Sequence, residues 1–248
     1  MKISIITAVL NNVEHINACI ESVQSQTYNN IEHIVIDGGS TDGTLKIIEN
    51  NKKIRQWVSE PDKGTYDALN KGISLATGDI IGLLHSDNVF DNELIIEKIA
   101  AIFNVSICDA LYGDLLYVSR ENLNKTVRYW KSSVFDVKQF RNGWMPAHPT
   151  LFLKKNVFDT FGLYDLQFRI ASDYDLMLRT LGSGKLKCEY LPEVVTRMRM
   201  GGASNKSIKN IIRKSKEDYI ALKKNNMGSL FTLFMKNFSK LKQFRVKN

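Results

Sequence analysis

Ile3-Ser4-Ile5-Ile6-Thr7-Ala8-Val9, followed almost at once by Asn11-Asn12, is a largely apolar, β-branched run closed by a polar stop. Such a run predicts a strand covered on both faces rather than one with a wet side. Beyond the stop, Ile16, Ile20 and Val23 recur at helical spacing up to Gln26, and residues 31–37, Ile-Glu-His-Ile-Val-Ile-Asp, return to a strand pattern. Strand, helix and strand in that order predict a βαβ unit, a parallel pair joined by a right-handed crossover. The alternation continues with a helix over 44–50, a short strand over 56–59, a helix over 65–76 and a buried strand over 80–84. This is the element order of an open, doubly wound α/β sheet.

Ligands of such sheets bind beyond the carboxyl ends of the strands. Four polar clusters fall there: residues 7–12, 37–42, 60–67 and 85–88. After Asp91 the pattern becomes less regular. It predicts a helix to about Asn104, a strand near 110–112, a hairpin through Val118 and Val127, a strand over 150–153 and a helix over 173–181.

A chain of 248 residues without a Gly/Ser linker or an internal repeat suits one enlarged domain. Its formal net charge of +8 is unevenly spread. Residues 206–248 hold twelve Lys and Arg against Glu217 and Asp218, a local +10 that leaves −2 for residues 1–205. That distribution argues against a nucleic-acid footprint over the whole domain. It suits an anionic surface meeting the C-terminal region, a membrane leaflet or a phosphate-bearing partner, or a plain solvated helical extension. Cys19, Cys108 and Cys188 lack the spacing of a zinc site or a disulfide framework. No window approaches the roughly 20 apolar residues of a spanning helix, and the N-terminal apolar segment is too short for a secretory leader, so a cytoplasmic protein is expected.

Three stretches could carry chemistry. Asp37 ends a strand and precedes Gly38-Gly39, where backbone can approach a ligand closely; its carboxylate suits a base edge or ribose hydroxyls, or an ordinary capped turn with Ser40, Thr41 or Asp42. Asp62 and Lys63 precede a helix that buries Leu69, Ile73 and Ala76 and so displays Tyr66 and Asn70; its N-terminus favours an anion such as a diphosphate, while Asp62 also fits an N-cap. Asp173 opens a helix whose Leu176, Leu178 and Leu181 can pack inward, which suits either a general base or a cap beside an Asp175–Arg179 surface pair.

Val35 to Thr44, Ser59 to Gly72 and Leu84-His85-Ser86-Asp87-Asn88 together resemble the nucleotide-sugar-binding half of the family 2 glycosyltransferases, nearest the bacterial O-antigen, capsule and exopolysaccharide branch. The resemblance covers residues 2–205. It implies a GT-A fold, an open mixed, mainly parallel sheet with helices on both faces, divided into a nucleotide-sugar half over 1–113 and an acceptor half over 114–205, followed by a basic amphipathic helical tail over 206–248. It assigns Asp37 to the uridine, and Thr7, Asp62, Lys63, Tyr66, Asn70, Ser86 and Asp87 to the donor. Asp87 stands at the metal-binding position for Mn2+ or Mg2+, with His85 and Asn88 where many relatives have acids. Asp173 stands at the catalytic base, a single carboxylate because position 172 is Ser. Trp144 and His148 fall where an acceptor sugar would meet the protein, and Arg197, Arg199 and Gly201-Gly202 where relatives bring a mobile loop to the diphosphate. The Gln-x-x-Arg-Trp motif of processive synthases is absent.

The expected function is inverting transfer of one sugar from a UDP-sugar to an undecaprenyl-diphosphate-linked oligosaccharide, by a monomer or homodimer on the inner face of the cell membrane. A nucleotidyltransferase is disfavoured because its glycine-rich phosphate loop is missing. The alternative is an inactive sugar-nucleotide-binding protein docked to a membrane assembly. In the tail, Met227, Phe231, Phe234, Phe238 and Leu241 are spaced as one apolar stripe flanked by Lys236, Lys240, Lys242 and Lys247. That pattern predicts an interfacial helix separable near Ser204, or one that packs on the protein's own core or a partner subunit.

Overall fold

The computed structural model describes residues 1–54, 56–201 and 208–239. The first half runs β1 (Ile3–Val9), α1 (Ile16–Gln24), β2 (Ile31–Asp37), α2 (Thr44–Asn50), β3 (Gln56–Ser59), α3 (Thr65–Leu75) and β4 (Ile80–Leu83). β5 (Asn88–Phe90), α4 (Ile95–Val105), β6 (Ala110–Val118), β7 (Thr126–Trp130), α5 (Lys138–Arg141), β8 (Phe152–Lys154), α6 (Lys155–Phe161) and α7 (Ser172–Arg179) follow. β9 (Cys188–Arg199), α8 (Ile208–Lys224) and α9 (Leu230–Ser239) complete the described chain.

All strands join one sheet in the order β3-β2-β1-β4-β8-β6-β9-β5, with β7 pairing β6 at the side. β3, β2, β1 and β4 are mutually parallel. Beyond β4 the directions mix: β8 is antiparallel to β4 and β6, β9 is parallel to β6, and β5 is antiparallel to β9. The result is a mixed α/β sheet with helices on both faces, in which β3-β2-β1-β4 form one parallel run in the nucleotide half and β6 and β9 a second parallel pair.

Pleating divides β1 between two apolar layers. Ile6 and Ala8 pack on Ala68, Leu69 and Ile73 of α3, while Ile3 and Ile5 pack on Cys19 and Val23 of α1 and on Ile95, Ile96 and Ile99 of α4. Gly72 lets α3 lie close on the sheet, because a Cβ there would run into Ile6. Ala221, Leu222 and Met227 from α8 and the following turn belong to the same layer as α3 and α7.

Two expectations are corrected. Arg197 and Arg199 lie not on a mobile loop but near the end of the twelve-residue strand β9; Pro192 and its interspersed charged residues mask the strand pattern, and register with β6 overrides them. The C-terminal segment takes the second placement its pattern allowed, with α8 and α9 packed on the acceptor half. Lys224 Nζ lies 2.6 Å from Asp165, and Asn225 Nδ2 donates to Asp175 Oδ1 at 3.0 Å. Lys236, expected on a wet flank, is 3% exposed, 2.8 Å from Asp218 and 3.2 Å above the Tyr174 ring. Met227 accordingly turns inward while Phe231, Phe234 and Phe238 stay exposed, so the stripe divides. Leu241, Lys240, Lys242, Lys247 and Gly202 lie outside the described residues.

Candidate active site

Parallel register assembles the first part of the site. Val9 pairs with Asp37 and Asp37 with Ser59, so three strand ends stop level and their loops meet. Asn11, in the left-handed region at φ 48°, accepts from Thr41 N at 2.9 Å through its side chain and donates its own amide to Ser40 Oγ at 2.8 Å. Asp42 closes the adjoining turn on Thr44 and Val13, the structural role its position allowed.

Asp37 is fully buried. Oδ2 accepts from Gly39 N, Ser40 N and Ser59 Oγ at 3.1, 3.0 and 2.7 Å, while Oδ1 is buried with no hydrogen bond. One oxygen therefore performs the turn-capping role and the other remains a directed acceptor. A buried acceptor left unmade costs about 1–3 kcal/mol, which a ligand donor would recover. A Cβ at Gly38 would stand 2.8 Å from Asp62 Oδ2, so a larger residue there would displace the Asp62 side chain.

Asp62 does not cap α3. Its Oδ1 meets Lys71 Nζ at 2.9 Å, and the same ammonium lies 2.7 Å from Glu60 and 3.8 Å from Asp67. These carboxylates raise the Lys71 pKa. Lys71, one turn beyond Asp67 on the same face, is thus the cation of this lip, whereas Lys63 is exposed and engages it only through its backbone amide, which donates to Asp67 at 3.0 Å. Sequence reasoning missed Lys71, although its i, i+4 relation to Asp67 was visible.

Tyr66 joins the two halves. Its hydroxyl donates to Ile170 O at 2.7 Å and lies 3.2 Å from Asp173 Oδ1, and its ring stacks on Tyr164 at 5.4 Å. Asn70 is spent on the same junction. Its Nδ2 donates to Tyr164 O and its Oδ1 accepts from Tyr164 N, both at 2.9 Å, so its amide is a structural clamp rather than a free donor-binding group. Asp173 is half-buried in the first turn of α7, and Tyr174 N donates to its Oδ1 at 2.8 Å. Asp173 Oδ2 has no hydrogen bond from the described residues. Asp175, by contrast, is fully buried against Arg179 at 2.7 Å, a structural pair rather than a surface one.

Ser86 accepts from Asn12 Nδ2 at 2.9 Å, tying the β4 end to the β1 end. Asp87 is half-buried with its carboxylate unbonded among the described residues, and Arg199 Nη1 lies 3.5 Å from its carbonyl oxygen. Arg199 is itself buried, with Nε unpartnered. No three His, Cys, Asp or Glu side chains gather as a metal cage among the described residues. A single carboxylate is nevertheless a fitting donor for Mg2+ or Mn2+, hard cations that usually take one or two protein carboxylates and fill their shell with phosphate oxygens and water.

Three candidates lie apart from a ligand-facing role. Thr7 is buried with its hydroxyl 3.0 Å from His33 Nε2, beneath the strand ends. His148 is buried with Nε2 2.7 Å from the Tyr164 hydroxyl, and desolvation lowers its pKa to about 4, so it is a neutral internal group. Trp144 packs edge-on against Tyr112 and Phe140. His148 instead continues an aromatic row: its ring is 6.2 Å from His85 and 5.8 Å from Tyr164, which stacks on Tyr66 beside Asp173.

The glycosyl transferase family 2 model matches residues 4–162. A PGL/p-HBAD biosynthesis glycosyltransferase of Mycobacterium bovis is 31% identical over 208 residues, covering 82% of this chain and 78% of its own. An uncharacterized glycosyltransferase of Mycobacterium tuberculosis is 32% identical over 181 residues, covering 71% and 68%. Among solved structures, Staphylococcus aureus TarS 1-349 in complex with UDP-GlcNAc superposes with a TM-score of 0.72 at 16% identity, over 91% of this chain and 65% of that one. The present chain spans 46% of a longer TarS chain. A Pyrobaculum calidifontis mannosyltransferase in complex with GDP-Man and Mn2+ gives a TM-score of 0.65 at 17% identity, covering 90% and 63%. At these identities the solved structures bear on the fold alone. The family model and the mycobacterial relatives, falling on the strand-end cluster described above, place this chain in the glycosyltransferase family 2.

Proposed function

We propose that this protein is an inverting glycosyltransferase that moves one sugar from a UDP-sugar to a lipid-linked oligosaccharide in bacterial surface glycan synthesis, working at the inner face of the cell membrane. The observation that carries the reading is the contact of Tyr66 with Asp173, across 107 residues. It brings the helix that follows the donor lip to the start of the helix that carries the candidate base. The TarS complex with UDP-GlcNAc supports the donor class.

In this reading Asp37 Oδ1 accepts from the uracil or ribose, and Arg199 and Asp87 flank the diphosphate. Asp87 would hold a divalent cation, whose chemistry when bound would be charge neutralisation of the departing diphosphate. Asp173 Oδ2 takes the proton of the acceptor hydroxyl. The hydroxyl oxygen bonds to C1 from the face opposite the diphosphate, and the C1–O electron pair leaves with UDP. The amide of Tyr174 holds Asp173 Oδ1, with the Tyr66 hydroxyl 3.2 Å away, which leaves Oδ2 for the incoming proton. The inactive-binder alternative gives no reason for a carboxylate held in this way.

The tail supports the membrane setting. Leu230, Phe231, Phe234 and Phe238 are exposed on α9, whose opposite side buries Thr232 and Lys236, and Lys209, Lys216 and Lys223 are exposed on α8. No described helix is long and apolar enough to cross a membrane, whereas a basic, aromatic helix pair suits a membrane interface.

A screen of UDP-sugars on a synthetic lipid-diphosphate acceptor, scored by UDP release with and without Mn2+, tests the activity. The anomeric configuration of the product, read by NMR, tests inversion. Release of no UDP from any donor, or retention of configuration, would remove this reading. Sedimentation with anionic vesicles tests the tail: Phe231→Ser with Phe234→Ser should release the protein from them, and equal binding by the variant would discard the interfacial role.

A further inference from the structure

We propose that Glu217 of α8 is a positioning residue for sugar transfer, acting on the helix that carries Asp173; the proposal rests on Asp173 being the base. α7 begins on residues that cannot cap it. Its N-cap, Ala171, has no side-chain acceptor, and no side-chain cap bond is made, although the amides at a helix start need partners from outside the helix. Glu217 supplies an acceptor immediately ahead of the first turn. Ile170 N and Ala171 N both donate to its Oε2, at 2.7 and 3.0 Å. A carboxylate in this place also faces the positive end of the helix.

The consequence for the site lies in one peptide group. The Ile170–Ala171 amide is held on its N–H by Glu217 and on its carbonyl by the Tyr66 hydroxyl, at 3.0 and 2.7 Å, and that hydroxyl is 3.2 Å from Asp173 Oδ1. Glu217, the peptide, Tyr66 and Asp173 therefore form one chain of contacts from the C-terminal helix to the candidate base. Glu217 is held in turn. Its neighbour Asp218 is buried between Lys214 at 3.1 Å and Lys236 at 2.8 Å, and Ala221 and Leu222, one turn on, are buried in the core shared with α7. Removal of Glu217 frees the peptide to rotate, and Tyr66 and Asp173 lose their common reference.

The test uses the full chain with the donor and acceptor selected by the screen above, and measures kcat, donor KM and UDP binding. Glu217→Ala should lower kcat by roughly 10- to 100-fold with donor KM and UDP affinity within about twofold, because misplacement of a catalytic group by about 1 Å falls on turnover. Glu217→Gln keeps an acceptor oxygen and should fall by less than about fivefold relative to wild type. Glu217→Met, which fills similar volume without an acceptor, repeats the test should the alanine variant fail to fold. Combined with Tyr66→Phe, Glu217→Ala should lower kcat little further than the worse single change, because the two act through one contact chain. A folded Glu217→Ala or Glu217→Met with kcat within about twofold of wild type, or effects that multiply in the double variant, overturns the proposal. Asp173→Asn separates the two levels. If it lowers kcat by roughly 10²-fold or more while the folded Glu217 variants stay within about twofold of wild type, Glu217 alone is excluded; if it leaves transfer near normal, the base assignment fails and the role of Glu217 falls with it.

Discussion

The nucleotide half and the acceptor half place their functional side chains by different means. In the first, Asp37 and Ser59 sit at the ends of adjacent parallel strands, so backbone register sets their spacing before any side chain acts. In the second, Asp173 sits on a helix of eight residues whose start is fixed by side chains from α3 and α8. Register is enforced by a ladder of hydrogen bonds and tolerates the loss of one contact. A short helix held by a few side chains does not. The comparison implies that the donor site is robust and the catalytic carboxylate sensitive to residues far from it in sequence.

The largest expected effect is on turnover. Asp173→Asn keeps the size of the side chain and removes its basic lone pair, so kcat should fall by roughly 10²-fold or more while UDP affinity holds. Equal loss of UDP binding would break the division between halves. Leu222→Ala, a fully buried position on α8, should cost about 3 kcal/mol in urea unfolding, within the range for cavity-forming core changes. A variant that loses under about 0.5 kcal/mol, the scale of an ordinary surface change, would show the C-terminal helices to be an appendage after all.

Acid compares the halves directly, because each holds a buried histidine whose pKa desolvation lowers to about 4, His33 on β2 and His148 beside Tyr164. The unfolded chain takes up those protons near the ordinary imidazole value of 6.5. Their contribution is therefore complete above about pH 6.5 and is lost as pH falls toward 4, by about 3 kcal/mol each. Unfolding free energies at pH 7.5 and 4.5 for His33→Gln and His148→Gln should each show one proton less uptake than wild type. An unchanged pH slope in either variant would show that its histidine titrates normally in the folded protein.

Smaller effects separate the donor contacts. Asp37→Ala should weaken UDP by about 2 kcal/mol with or without metal, the scale of a lost hydrogen bond to a charged group. Asp87→Ala should weaken it by about tenfold only when Mn2+ or Mg2+ is present, a loss of about 1.4 kcal/mol. Calorimetric titration with and without EDTA distinguishes them, and a metal-independent Asp87 defect would assign that residue to the protein's own hydrogen bonding.

The amino-acid sequence by itself determined the nucleotide half. Elements of βαβ units lie close along the chain, their apolar periodicity is strong, and a strand such as β1 or β2 stops where its polar residues begin, so Asp37 and the polar cluster over 85–88 could be placed at strand ends from the residues alone. It also isolated Asp173, at the start of a helix with a clear inward face. Only the tertiary structure decided the rest. Pro192 and alternating charges hide β9, which exists because β6 offers it a partner. Asn70, Thr7 and His148 are polar residues at plausible positions whose atoms are spent inside the protein. Lys71 is the cation on which Glu60, Asp62 and Asp67 converge, a meeting that periodicity does not report. Lys236 read as a flank of the apolar stripe and Glu217 entered only the charge balance of the tail, yet one is buried on Tyr174 and the other accepts from the residues at the start of α7. Local periodicity reports which face of an element is apolar. Which distant group lies opposite a given polar atom is a property of packing, and in this protein that packing holds the carboxylate proposed to do the chemistry.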